Sequence, residues 1–266
     1  MIAEERRSKL LELVRLRGFA SLPDLSKELQ VSESTVRRDL DFLEESGSAK
    51  RTHGGVFYTG ISPKLPLFEE HQPAQWDKKT AIASRAARLI EDGDTVLIDG
   101  GTTAYEVARL LVGRPLQVVT NSLPVANLFA ASASTDLVLL GGYVYPRTGV
   151  ALGPYANEML KHLNVHRTVM SVGGITDRGY YNSNLLLVET ERAMMSAADE
   201  VIVVADSTKF GRQSLAHLCE LGAVERMVVD SDINDEWKSK IQAAGVELLI
   251  ADGSEAQQNN EHGNGI

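Results

Sequence analysis

The side chains best suited to chemistry lie in glycine-rich turns. Residues 96 to 107 read VLIDGGTTAYEV: an apolar run, then Asp99, Gly100, Gly101, Thr102 and Thr103, then a helical pattern from about Ala104. Such a turn sets backbone N–H groups and two hydroxyls at the positive end of a helix dipole, which is a common way to hold a phosphate. Four more turns follow apolar runs: Asn121-Ser122, Gly141-Gly142, Gly173-Gly174 and Asp206-Ser207-Thr208-Lys209. If those runs are parallel strands, the turns line the sheet edge at which α/β proteins bind ligands. Taken singly, each glycine pair could equally serve a tight strand-to-helix turn. The spacing fits neither G-x-G-x-x-G nor G-x-x-x-x-G-K-[ST], which disfavours dinucleotides and nucleoside triphosphates. Asp99, Glu189 and Asp206 are chemically able to move a proton between neighbouring sugar carbons, so a sugar-phosphate isomerase stays an alternative. His53, His71, His162, His166, His217 and His262 fall in no nucleophile or metal spacing, and no catalytic residue, metal or cofactor is expected.

These turns need strands to end on them. Short β-branched runs occur at 96–98, 117–120, 136–140, 168–172, 201–205, 226–229 and 246–250, separated by helical stretches such as DKKTAIASRAARLIED and DEWKSKIQAA. Continuous apolar strands alternating with helices predict a mostly parallel sheet covered on both faces. Pro63, Pro66 and Pro73 punctuate a stretch with neither helical nor strand period. A linker is therefore expected over residues 58–77, between a domain at 1–57 and a larger one at 78–253, with a polar, disordered tail at 254–266.

The first domain carries a different chemistry. With 266 residues and 43% hydrophobic content, the chain is long enough for two cores. Its net charge of −9 would argue against nucleic acid, but residues 1–57 hold ten basic and ten acidic side chains. That leaves 17 of the 27 basic and 26 of the 36 acidic residues, and the whole deficit, to the remainder. SLPDLSKELQVSESTVRRDLDFLEESG reads as helix, turn, helix, with Ser21 and Ser32 as N-caps. In the second helix Val36, Leu40 and Leu43 share one face; Ser34 and Arg38 point away, with Thr35 and Arg37 on the flanks. A helix-turn-helix protein reads base edges with the N-terminal residues of that helix, and Arg grips guanine with two hydrogen bonds. Lys50, Arg51, Thr52 and His53 precede a Gly54-Gly55 turn, as in a β-wing whose basic residues reach phosphates. Arg37 and Arg38 could instead be a solvated face paired with Asp41 and Glu45; the capped first helix and the basic hairpin favour DNA. There is no apolar leader and no run of about 18 apolar residues, and the lone Cys219 cannot form an intrachain disulfide, so a cytoplasmic protein without a membrane partner is expected.

The ordered pattern VSESTVRRDLDFLEESG followed by RTHGGV resembles the winged helix-turn-helix of the DeoR family of bacterial transcription regulators. In order, DGGTT, TNS, LGG, VGGI and ADSTKFGR resemble that family's sensor domain, so the resemblance covers about residues 6 to 250. It implies a fold like that of ribose-5-phosphate isomerase, a phosphorylated sugar as effector, double-stranded operator DNA as partner, and a homodimer or homotetramer. Carried over, it makes Asp99, Gly100, Gly101, Thr102 and Thr103 the phosphate loop, Asn121 and Ser122 neighbours of the ligand, and Lys209 a point charge near the anion. The implied function is a repressor of a carbohydrate operon released by a sugar phosphate, with an activator of the same family as an alternative. Two positions depart from the pattern. Gln30 stands where such turns often carry glycine, and Glu191-Arg192 stand where the family often has a Lys-Arg pair, which weakens the expectation that this helix neutralises the ligand.

Overall fold

The computed structural model describes residues 3–17, 19–45, 49–52, 55–58 and 74–252. The expected tail, His53, the Gly54 half of the wing turn and most of the expected linker, including its three prolines, lie outside the described residues. The chain divides into two compact units, Met1–Leu65 with Asn184–Leu186, and Pro66–Ser183 with Leu187–Ile266.

In the first unit, α1 (Ala3–Arg17), α2 (Leu22–Leu29) and α3 (Glu33–Glu45) pack with a three-stranded antiparallel sheet of β1 (Phe19–Ser21), β2 (Ala49–Thr52) and β3 (Gly55–Tyr58), in the order β1-β3-β2. Leu10, Val14, Leu25, Leu29, Val36, Leu40, Leu43 and Val56 form one buried cluster. Local signals place the helices. Ser21 caps α2 by accepting from the Asp24 N–H, and Ser32 accepts from the Thr35 N–H at the start of α3. Between them Gln30 is left-handed, with φ of 53°, as the departure from glycine at this position anticipated.

The second unit is built on a seven-stranded, all-parallel sheet in the order β15-β14-β12-β9-β4-β5-β6. Its strands are β4 (Thr95–Ile98), β5 (Gln117–Thr120), β6 (Asp136–Leu139), β9 (Val165–Ser171), β12 (Ala198–Ala205), β14 (Arg226–Asp230) and β15 (Glu247–Ala251). All seven apolar runs named from the sequence are these strands. Helices α4 (Trp76–Ala87), α5 (Thr102–Leu111) and α6 (Leu123–Phe129) contribute to a buried cluster with Val96, Ile98, Val118 and Val204, and α9 (Asp235–Ala243) buries Ile241 in a second cluster. From β4 the chain winds outward through β5 to β6. It then crosses back to β9 on the other flank of β4 and winds outward through β12, β14 and β15. The order therefore reverses between β4 and β9, and in such sheets a crevice opens beyond the strand ends at that point.

Short antiparallel pieces decorate this edge: the hairpin β7 (Tyr143–Tyr145) with β8 (Val150–Leu152), followed by α7 (Pro154–Leu160), and a sheet of β10 (Gly174–Thr176), β11 (Gly179–Asn182) and β13 (Ala216–Cys219). Helix α8 (Leu185–Ser196) runs from β11 back to β12. Among the described residues no helix is long and apolar enough to cross a membrane.

Candidate functional site

On the first unit, Ser34, Arg37 and Arg38 are exposed at the N-terminal half of α3, and Thr35 is half-buried beside them. Arg37 approaches Glu33 only at 3.8 Å, and Arg38 Nε donates at 3.4 Å to the Ser34 carbonyl. Both are weak surface contacts, so the guanidinium groups stay exchangeable. Lys50, Arg51 and Thr52 lie on β2, which pairs with β3 as the wing hairpin expects. Sequence reasoning overlooked Asp39, which is buried on the same stripe as Val36 and Leu40 and accepts from both Arg6 (2.5 Å) and Arg7 (3.1 Å). A charge falling within an apolar stripe was the available signal. Asp39 anchors α1 to α3 and occupies two of the ten basic residues of the first 57 positions.

On the second unit, the loop after β4 leaves the sheet at the reversal point. The strand ends at Ile98 and α5 begins at Thr102, two residues before the expected start. Asp99 is buried, and its Oδ2 accepts from the Gly101 N–H (3.2 Å) and the Ser171 N–H (3.3 Å), while Gly100 N–H also donates to its carboxylate. Burial nevertheless raises its pKa, because it outweighs those three donors. The glycines are steric requirements. A Cβ at Gly101 would lie 2.3 Å from the Ser171 Cβ, and one at Gly100 would lie 2.0 Å from a Val150 methyl. At the helix start Ser171 Oγ accepts from the Ala104 N–H at 3.0 Å, while Gly101 offers no side-chain cap. The N–H groups of Thr102 and Thr103 therefore have no acceptor within the helix, which is the arrangement an anion needs.

Neighbouring strand ends add polar groups. After β5, Asn121 and Ser122 are fully buried; Ser122 caps α6, and Asn121 Nδ2 donates to the Ala151 carbonyl of the β7–β8 hairpin. After β12, Asp206 caps a single 3₁₀ turn (Ser207–Lys209) that carries Lys209, half-buried and without an ion pair among the described residues. Close enough to feel its charge is Lys79 of α4, a second lysine that sequence reasoning did not single out. Lys79 is buried, and its pKa is lowered first by burial, with Asp206 opposing and Lys209 adding to the shift. Next to it Lys78 holds Asp232 (2.7 Å), Asp230 (3.3 Å) and the Ser207 hydroxyl (2.7 Å), tying the start of α4 to the ends of β12 and β14. In the sequence this pair reads only as a charged first helical turn.

Two expected contributors differ. Gly141-Gly142 and Gly173-Gly174 lead into strands and not into helices. Gly141 and Gly142 are exposed beyond the edge strand β6 and open the β7–β8 hairpin; Gly142 sits where a Cβ would meet the Leu152 carbonyl at 2.8 Å. Gly174 starts β10, where a Cβ would meet the Arg212 carbonyl at 2.2 Å. Gly142 and Gly174 thus answer to backbone packing, whereas a Cβ at Gly141 would meet only the Met159 sulfur at 3.9 Å. The acid candidate Glu189 is exposed, whereas Glu191, two residues on, is fully buried. Its Oε1 accepts from Asn182 Nδ2 at 2.6 Å, and burial, then the Asp99 charge, push its pKa well up.

Both halves of this arrangement match known families: residues 6–60 a DeoR-like helix-turn-helix domain, and residues 74–231, more than half the chain, the DeoR C terminal sensor domain. The chain belongs to the DeoR family. The DeoR-family relatives it is similar to include the HTH-type transcriptional regulator UlaR of Escherichia coli and that of Shigella boydii, each 28% identical over 250 residues, covering 94% of this chain and 99% of the relative. Among solved structures, ribose 5-phosphate isomerase A of Methanocaldococcus jannaschii aligns with a TM-score of 0.36 and 17% identity over 52% of this chain, which spans only 55% of that enzyme. The beta subunit of eIF2B from Chaetomium thermophilum aligns with a TM-score of 0.42 and 14% identity over 82% of this chain and 62% of that one. A DNA-binding unit joined to a sensor unit is therefore the organisation of this DeoR-family chain.

Proposed function

We propose that this protein is a repressor of a carbohydrate operon whose grip on operator DNA is released by a phosphorylated sugar. The observation that carries the effector half is the start of α5, without a side-chain cap from Gly101, at the point where the strand order reverses, with Thr102 and Thr103 opening that helix and Lys209, which has no ion pair among the described residues, on the turn after β12. The DNA half rests on the exposed Ser34, Arg37 and Arg38 of α3, with Lys50 and Arg51 placed on β2 of the wing. DNA contacts of this kind make affinity fall steeply with salt. Two copies in a homodimer or homotetramer would read half-sites spaced by whole turns of about 34 Å. An effector that favours one packing of the copies weakens DNA binding, and DNA weakens effector binding by the same factor. The protein senses the sugar phosphate and does not turn it over.

The test begins by selecting bound duplexes from a random pool with the full chain. Arg38→Ala is expected to cost about 1–3 kcal/mol of discrimination at one base position of each half-site. Thr102→Ala combined with Lys209→Ala is expected to leave duplex binding intact and abolish release by a panel of sugar phosphates. Unchanged base preference in the first variant, or unchanged release in the second, refutes the corresponding half. Interconversion of aldose and ketose phosphates at about 1 per second or faster would refute sensing without turnover.

A further inference from the structure

Glu191 is the one wall of the crevice whose chemistry opposes an anion. Its carboxyl is fully buried, Oε1 is used by Asn182, and Oε2 has no hydrogen-bond partner. Asn121 Oδ1, at the end of the next strand but one from β9, is likewise buried without a partner. A buried polar atom left unpaired costs free energy, so two such atoms beside one ligand crevice point to groups that a ligand satisfies. Among the described residues no cation pairs with Glu191. Arg192 turns away to donate to the carbonyls of Leu218 and His217, and the nearby Cys219 is held as a neutral thiol, its pKa pushed by burial up to about 12. The nearest charged neighbour that acts on Glu191 is another acid, Asp99. The crevice is therefore polarised: Lys209, with Lys79 near enough to feel its charge, belongs to the turn after β12, whereas Asp99 lies against the loop that precedes α5 and Glu191 within reach of its charge.

We propose that Glu191 and Asp99 make the crevice selective for an effector with a single anionic group, held at the Thr102–Lys209 end, and uncharged or cationic hydrogen-bond donors at the Glu191 end. A sugar hydroxyl satisfies Oε2 whether Glu191 is ionised or neutral, because it both donates and accepts. A second phosphate or a carboxylate there gives up its water to a desolvated site lined by two acids, which must either stay protonated or repel it. The effector is accordingly the monophosphate of a neutral or amino sugar, and sugar-acid phosphates and bisphosphates are refused. This inference rests on the phosphate reading of the α5 start.

Thermal shift and calorimetry on the full chain test it with ribose phosphate, fructose phosphate, glucosamine phosphate, phosphogluconate and fructose bisphosphate as probes. At least one of the first three is expected to bind at least about tenfold more tightly than either of the last two. Glu191→Gln, which keeps the shape and replaces the acid with an amide that cannot ionise, is expected to bring that ratio towards one. Glu191→Met does the same if Gln fails to fold. Stronger binding of glucosamine phosphate than of the neutral sugars places a cation at Oε2; the reverse places a hydroxyl there. Equal binding of phosphogluconate or the bisphosphate by the unaltered protein, or an unchanged ratio in both variants, overturns the selectivity while leaving the phosphate loop standing. Binding of no probe at all overturns the phosphate reading and the selectivity with it.

Discussion

Helix α3 starts at a serine cap and exposes Ser34, Arg37 and Arg38, whereas α5 starts at an uncapped Gly101 and buries Thr103 beside Asp99. Both are the helix N-termini that the proposed function assigns to an anion, but the surroundings differ. Around α3 the charges are solvated and mobile, which suits a polyanion bound in salt-dependent fashion and read by long side chains. Around α5 the polar groups are walled in by Ser171, Asn121, Ser122 and Glu191, which suits a small ligand that must replace the water it displaces. The first surface tolerates substitution in stability and fails in recognition; the second couples the two.

The largest effect that separates the regions is expected from Leu40→Ala. Leu40 has no exposed surface and sits at the centre of the first unit's core, so the change should cost about 2–5 kcal/mol. Urea unfolding should show that loss together with loss of DNA binding, while sugar-phosphate stabilisation of the second unit persists. If effector binding falls equally, the units do not hold themselves together separately.

Gly101→Ala is the converse. Its Cβ would stand 2.3 Å from that of Ser171, so the loop or β9 must shift, at an expected cost of about 1–3 kcal/mol. Effector-induced thermal shift should vanish and duplex binding survive; retained effector binding would move the anion away from this loop.

The third comparison is one of pH. A buried acid with a raised pKa contributes stability that is fully present below its unfolded value, near 4.5 for Glu191, and that is lost as pH rises towards the folded value. Asp99 is shifted the same way, from 3.8. Stability of the second unit should therefore decline above about pH 4.5, by at most about 1.4 kcal/mol per pH unit for one group, and Glu191→Gln should flatten the slope. Denaturant midpoints measured across pH 4 to 8 check this; a slope identical in Glu191→Gln and the unaltered chain would mean that Glu191 is not held neutral.

Legibility in the sequence followed the range of the cause. The seven parallel strands were readable because burial on both faces leaves continuous apolar runs such as VIVVA, and the α3 face because Val36, Leu40 and Leu43 repeat at helical spacing. The turns after β4, β5 and β12 were readable as the places where strands end, since each pairs small or hydroxyl residues with the end of an apolar run. The hairpins β7–β8 and β10–β11 were not, because three- and four-residue strands carry too short a pattern, and their glycines looked like helix-entry turns. The adjacency of β9 to β4, which fixes the crevice, is a long-range pairing with no local trace. Asp39 and Lys79 were missed, and Glu191 was noticed only as a departure from a Lys-Arg pair, for one reason: a charged residue is ordinarily exposed, and only partners distant in the chain reveal that these three are not.

The smallest effect sits between the helices of the first unit. Gln30 adopts φ of 53° and ψ of 42°, and its N–H donates to the Ser26 carbonyl, closing α2 as a left-handed cap. Glycine would relieve the Cβ strain of that conformation, a gain of about 1 kcal/mol, but would also widen the unfolded ensemble, offsetting most of it. Gln30→Gly should therefore raise the stability of the first unit by less than about 1 kcal/mol and leave base preference unchanged, since the turn faces away from Arg37 and Arg38 along α3 by a full helical turn or more. Paired denaturation and duplex-selection measurements decide it. A stability loss would mean that the Gln30 side chain itself holds the turn, and an altered base preference would mean that the turn sets the angle at which α3 enters the groove.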